Sequence, residues 1–245
     1  LGDVYKRQEE MDLTNMLSGP SLEHLFGTDE LGRDVFSRII YGGRYSLSIG
    51  LAATAFGAVV GCAIGAITGY FGGTLDTVLM RFLDILEAIP GLLLTICVSA
   101  VLGSGFDKTI LALAITSIPQ YVRLLRAQVF SVRDEEYLEA AESISCSKFR
   151  IITRYVLPNS LSPVIVKATM SVAQTILTAA SLSYVGLGVQ PPTPEWGAML
   201  SAGRAYIRSY PHLIMFPGIF IMITVLGLNL FGDGLRDALD PKLKK

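Results

Sequence analysis

Five stretches of the chain are apolar enough, for about 20 residues each, to cross the roughly 30 Å hydrocarbon core of a bilayer as helices. They fall near residues 46–70, 78–102, 108–127, 161–184 and 212–233. Gly, Pro or charged clusters bound each one: Gly72-Gly73, Gly103–Asp107, Arg123–Arg133, Gln190–Pro194 and Gly232–Arg236. An open sheet is excluded at that depth, because its edge groups would have no hydrogen-bond partner in lipid. The pattern predicts an all-α, polytopic transmembrane helix bundle.

Charge distribution orients the bundle. The connection Arg123–Lys167 carries seven Lys or Arg, whereas Gly186–Pro211 carries only Arg204 and Arg208. Basic loops stay inside, so the first connection is cytoplasmic. Alternation then places the amino-terminal segment outside and the end bearing Lys242, Lys244 and Lys245 inside, with Arg33, Arg38 and Arg44 as a mild dissent on the outer side. An outer amino terminus without a signal sequence predicts one further span before residue 1, six in the intact protein. Leu1–Gln8 has no initiating Met and no apolar or amphipathic pattern joining it to the rest of the chain, as expected of a truncation scar. The expected organisation is a non-native or truncated lead over 1–21, an interfacial segment over 22–44, a membrane domain over 45–240 with a cytoplasmic loop at 128–159, and a short tail over 241–245.

Composition agrees: 51% of the 245 residues are hydrophobic and 17% charged, against roughly 25% charged in soluble domains. A net charge of -1 offers no basic face for nucleic acid. Cys62, Cys97 and Cys146 are widely separated and form no CxxC, so free thiols and no metal site are expected.

In the first span Gly57, Gly61, Gly65 and Gly69 recur every four residues. They make a smooth groove for close helix approach, either within the bundle or at a subunit interface. In the second span Asp76, Arg81, Asp84 and Glu87 interrupt an apolar helix over about 16 Å. Such charges are functional candidates by default. Two readings stay open: a structural or subunit-contact role at the cytoplasmic end, or a proton relay. Pro90, Pro119 and Pro217 predict kinks.

The loop sequence from Asp134 to Asn159 predicts two short helices. Ser131 with Asp134 fits a capping box opening the first; Ser147 caps the second, which should stop before Pro158. Ala140 and Ala141 leave the first helix slim, as a knob for another protein's groove would be; the alternative is an amphipathic helix on the membrane surface. The stretch Gly27–Arg38 opens as a turn and becomes an interfacial helix. Pro191–Trp196 is a stiff loop, an external lid or a plain connector, with Trp196 at the outer membrane interface.

Glu139-Ala140-Ala141, Ser145, Ile152, Leu157-Pro158 and the following Asn159 resemble the EAA signature of bacterial ABC importer permeases, with Ser145 where the family has Gly. Two further stretches narrow the resemblance to the C-type inner-membrane subunit of the dipeptide, oligopeptide and nickel group. One is Phe26–Arg38 (FGTDELGRDVFSR), running on to Leu47; the other is Leu182–Gly197 (LSYVGLGVQPPTPEWG), completed by Asn229–Pro241 (NLFGDGLRDALDP). The resemblance covers about residues 22–243 and implies the type I ABC importer permease fold. It implies a bacterial inner-membrane location and a homologous second permease. Two cytoplasmic ATPases and an extracytoplasmic substrate-binding protein complete the implied partners. In that family the EAA loop docks into a cleft of the ATPase.

The chain itself has no G-x-x-x-x-G-K-[ST] loop, so ATP and Mg are expected on partner subunits and no cofactor here. Its two histidines, His24 and His212, are both expected outside, which leaves no HExxH or Ser-His pair in the membrane. A proton-coupled secondary transporter using Asp84 and Glu87 is the competing class and does not explain the EAA stretch; a non-transporting membrane scaffold is a third, for which changes around Ala140 would leave uptake unchanged.

Overall fold

The computed structural model describes residues 9–239. The expectations for Leu1–Gln8 and for the tail that holds Lys242, Lys244 and Lys245 lie outside the described residues. The main helices are α1 (Val35–Phe71), α2 (Gly73–Glu87), α3 (Gly91–Leu102), α4 (Phe106–Val132) and α5 (Glu136–Ser143). They are followed by α6 (Lys148–Ile151), α7 (Leu157–Ser160), α8 (Ser162–Tyr184), α9 (Trp196–Gly203) and α10 (His212–Leu239). Most of the described residues are helical, and their one β contact is an isolated bridge between Thr28 and Asp34.

Helix α1 has 37 residues, about 55 Å at 1.5 Å per residue, and so exceeds a membrane's thickness. It begins where the carboxylate of Asp34 caps Ser37 N–H at 2.8 Å, an arrangement that satisfies an orphan donor. The expected interfacial helix starts later than its sequence pattern suggests. Asp29 accepts from the amides of Leu31 and Arg33, which holds Gly27–Asp34 as a turn and leaves Val35 as the first helical residue.

Three apolar clusters stack along α1. Val35 and Ile39 pack with Trp196, Met199, Leu213 and Ile221 at one end. Ile49 and Ala53 pack with Leu113, Ala114 and Ala179 in the middle. Ala66 packs with Tyr121, Leu125, Val129, Leu138 and Ala141 at the other end. Between them α1 lies on α4 through its glycine row. A Cβ on Gly61 would sit 2.5 Å from Tyr121 Cβ, one on Gly65 2.6 Å from the Val122 carbonyl, and one on Gly69 2.8 Å from Val129 Cβ. On Gly57 it would collide with Ser117 Oγ. The glycine face therefore contacts a helix of its own chain, where close approach gains dispersion energy that lipid does not supply otherwise.

Helices α1, α8 and α10 are each long and apolar enough to cross a membrane. The expected second span is not one rod: α2 and α3 are bent by 93° at a short break. Pro90 lacks an N–H and pushes the residue before it out of the helical region, so Ala88–Pro90 interrupts the ladder. Pro119 and Pro217, by contrast, lie inside continuous helices. Helix α4, the expected third span, has the length but is less apolar than the others, since Thr116, Ser117 and Gln120 lie on it. Outward positions such as Val59, Ile85, Val101 and Phe231 are exposed large apolar residues, suited to lipid.

Trp196, expected at the outer membrane interface, is covered by protein. It is 4% exposed and donates its indole N–H to the Ile39 carbonyl at 2.9 Å. The buried carboxylate of Glu195 explains why: it caps α9 by accepting from Gly197 and Ala198 N–H and from Ser46 Oγ. A Cβ on Gly42 would collide with the Pro194 carbonyl, so only glycine lets this loop lie against α1. The 191–196 segment is thereby fixed to α1 rather than free.

Candidate functional site

Helix α5 is held by half of its surface. Leu138 and Ala141, 3% and 4% exposed, point into the cluster with Tyr121, Leu125 and Val129 of α4, Val164 of α8 and Ile151 and Val156 of the loop. Glu139 and Ala140 are exposed on its other side. Beyond them Ile144 and Phe149 stand 74% and 77% exposed, an apolar rim around a slim helix. The Tyr70 hydroxyl of α1 donates to Glu142 at 2.8 Å and ties the helix to the bundle a second time.

The end of α5 is set by Ser145, whose φ is +57°. Cys146 N–H reaches back to the Ala141 carbonyl at 3.1 Å and Ser145 N–H to the Glu142 carbonyl at 2.9 Å. That pair of bonds is the Schellman motif, with Ser145 in the left-handed position normally given to glycine. Ser147 then caps α6, accepting from Arg150 N–H.

Two expectations for this loop fail. Ser131 does not open a capping box: α4 continues through it to Val132, its hydroxyl donates to the Gln128 carbonyl, and α5 starts after Glu135 with no side-chain cap. Nor does the second loop helix stop before Pro158. The chain passes through a π-helical turn at Ile152–Val156 into α7, with Pro158 in the first turn of that helix. The wider turn accommodates a residue that has no N–H to donate. Leu157, Pro158 and Asn159 thus form the joint between the loop and α8, where Asn159 donates to the Tyr155 carbonyl at 2.7 Å.

The charges of α2 meet arginines of α4. Asp76 receives both the Nε and the NH2 group of Arg126, at 2.5 and 2.6 Å. Arg123 reaches Asp84 at 2.8 Å and Glu87 at 2.7 Å, and Arg81 stands 3.9 Å from Asp84. Arg126 also lies over the Phe130 ring at 4.4 Å.

A groove of about 490 Å³ runs between α3, α4 and α8. Along α8 its wall is Lys167, Ser171, Gln174, Thr175, Thr178 and Ser181, and α4 faces them with Thr116, Ser117, Gln120 and Tyr121. Thr95 of α3 closes the third side, its hydroxyl 3.2 Å from that of Thr116. Most of these hydroxyls donate to a carbonyl one turn back on their own helix, as Ser117, Thr175, Thr178 and Ser181 do, so their oxygens remain available as acceptors. Tyr121 belongs both to this wall and to the cluster that holds α5.

Residues 61–245 match the family described as binding-protein-dependent transport system inner membrane component. The chain belongs to that family. This permease is 48% identical over 235 residues to the dipeptide transport system permease protein DppC of Alkalihalophilus pseudofirmus, covering 96% of the chain and 77% of the relative. It is 48% identical over 240 residues to the glutathione transport system permease protein GsiD of Escherichia coli O157:H7, covering 98% and 79%. Its fold resembles that of the MetNI methionine ABC transporter in inward-facing conformations, with a TM-score of 0.67, 18% identity, and 84% and 97% of the two chains covered. An amino acid ABC transporter gives 0.64 at 16% identity, with 83% and 94% covered. The chain is a permease component of an ABC importer and not an enzyme; the ATPase of such a system is a separate subunit.

The polar wall of the permease is not among the features that hydropathy and motif spacing bring out. The signal was present: Lys167, Ser171, Gln174, Thr178 and Ser181 recur at three- and four-residue intervals, which puts them on one helical face. Mean hydropathy alone does not show such a stripe, because averaging over a window discards which face of the helix each residue lies on.

Proposed function

We propose that this permease supplies half of a translocation path for short peptides, and that α5 couples that path to cytoplasmic ATPases. A homologous second permease would complete the groove. Two ATPases would bind ATP and Mg at the loop end of the bundle, and an extracytoplasmic binding protein would deliver solute at the end bearing Trp196. The relatives are named for dipeptide and glutathione transport, both peptide solutes, which supports a peptide over a nickel chelate. The loop end is read as cytoplasmic from its basic residues, and the family as residing in a bacterial inner membrane.

The observation that carries the proposal is the double role of Tyr121. Leu138 and Ala141 of α5 press on the cluster containing Tyr121, and the same residue forms part of the groove wall. Close-packed side chains transmit displacement rather than absorb it. A push on the exposed Glu139–Ala140 side is therefore passed to α4 and α8. ATP and binding protein then shift the inward–outward equilibrium by their differential affinity for the two states.

A proton relay through Asp84 and Glu87 has no support from the relatives, and both carboxylates are engaged by Arg123. The test is binding-protein-stimulated ATP hydrolysis and dipeptide uptake by the complete transporter in liposomes, comparing wild type with Glu139→Lys. Loss of both activities in an assembled mutant is the expected result. Uptake that survives without the ATPase subunits would overturn the proposal.

A further inference from the structure

The polar groups that line the groove between α3, α4 and α8, set among Leu92, Leu113, Met170 and Leu177, are neutral hydrogen-bonding groups and a single charge. Among them are hydroxyls and the amides of Gln120 and Gln174; Lys167 is the one ionic group, and no described lining residue is a carboxylate. Lys167 stands in the second turn of α8, next to the loop end. The acids of α2 that precede the groove, Asp84 and Glu87, are paired with Arg123. Lys167 itself makes no ion pair among the described residues. A cation at the mouth of a narrow polar groove raises the local concentration of anions and lowers that of cations, most strongly where low-dielectric walls confine the field.

We infer that Lys167 makes this half of the path favour solutes carrying a carboxylate, such as the free C-terminus of a short peptide, over bare divalent cations. The inference rests on reading the groove as the path. The groove beyond Lys167 offers hydroxyl oxygens as acceptors and the Gln120 and Gln174 amides as donors and acceptors, which can follow a peptide backbone, and no acidic ligand set that could strip water from a metal ion. Selection here adds to whatever the binding protein selects.

The experiment measures the field directly, in the complete transporter reconstituted in liposomes and otherwise free of reactive thiols, Cys62, Cys97 and Cys146 being replaced by Ala. Gln174→Cys supplies the reporter, seven residues and about 10 Å along the helix from Lys167. Its labelling rates with an anionic, a cationic and a neutral methanethiosulfonate of similar size are compared at low ionic strength and normalised to a free thiol. At about 10 Å in a water-like dielectric the anionic-to-cationic ratio should be about 4, approach 1 in Lys167→Gln, and invert to about one quarter in Lys167→Glu. A ratio that is the same in all three proteins overturns the inference and leaves the path reading intact. Failure of the neutral reagent to label Gln174→Cys in every nucleotide state overturns the path reading, and the inference with it. If Lys167→Glu does not assemble, the Lys167→Gln comparison decides alone.

Discussion

Cys146 N–H and the Ala141 carbonyl are 3.1 Å apart, and they meet only because Ser145 between them is left-handed, at φ +57°. A residue with a Cβ in that region carries a strain of roughly 1–2 kcal/mol that glycine does not. Ser145→Gly should therefore stabilise the end of α5 by about 1 kcal/mol, less what the more flexible unfolded chain takes back. Ser145→Val, β-branched at a positive φ, should destabilise by more than the glycine gains. Thermal unfolding of the purified permease orders the three proteins as Gly, Ser, Val; equal midpoints for Gly and Val would show that the turn is not left-handed.

Tyr121 separates packing from polarity. Its hydroxyl is buried beside Ser171 without a hydrogen bond of ordinary length, so Tyr121→Phe removes a group that gains little and should change stability by under about 1 kcal/mol. Tyr121→Ala empties a core site and should cost about 3–5 kcal/mol. It should also lower the number of peptides carried per ATP hydrolysed, since the packed cluster that joins α5 to the groove wall loses its largest member. The ratio of uptake to hydrolysis in liposomes reads this, and an unchanged ratio in Tyr121→Ala would remove Tyr121 from the coupling route.

The glycines of α1 and α10 make opposite predictions from one residue type. A methyl on Gly61 would meet Tyr121 Cβ at 2.5 Å and the Ile118 carbonyl at 2.9 Å, whereas around Gly227 of α10 nothing lies within 4 Å. Gly61→Ala should cost about 1–3 kcal/mol by forcing α1 from α4. Gly227→Ala should be neutral or stabilising by up to about 1 kcal/mol. Detergent-resistance or thermal-shift measurements on the two variants distinguish a packing seam from a lipid-facing glycine, and a tolerated Gly61→Ala would place α1 farther from α4 than it is here.

Periodicity made the bundle legible because a helix repeats its buried face every three or four residues, and the glycine row of α1 could be read as a seam before its partner was known. What the row could not reveal was that Ala140 and Ala141 have opposite fates, one outward and one in the core beside Leu138. Adjacent residues on a helix differ by about 100°, and only the neighbouring helices decide which of them is covered. Trp196 misled for a related reason. An aromatic with one polar atom suits a membrane interface, but the Ile39 carbonyl and the close approach at Gly42, some 150 positions earlier in the chain, give it a buried partner. The π-turn before Pro158 was hidden because proline's usual effect is to end a helix. Continuity instead depended on tertiary packing of Ile151 and Val156.

Asp76 and Arg126 form a two-pronged ion pair between α2 and α4, with the Asp76 side chain 10% and the Arg126 side chain 28% exposed. Charge-assisted bidentate bonds of this kind are among the stronger polar contacts, and breaking one partner leaves the other poorly solvated. Asp76→Asn and Arg126→Gln should each destabilise by about 1–3 kcal/mol, while the double variant should cost less than their sum by an interaction energy on the order of 1–2 kcal/mol. The exposed cluster at Arg123 provides the comparison. Asp84 is 50% and Arg123 42% exposed at the side chain, so water screens that pair, and its own cycle should return no more than about 1 kcal/mol. Two double-mutant cycles on the purified permease therefore rank the contacts. If the Arg123 cycle gave the larger coupling, α2 would be held to α4 near its Pro90 end rather than near Gly73, and the 93° break between α2 and α3 would lie beside the stronger of the two anchors.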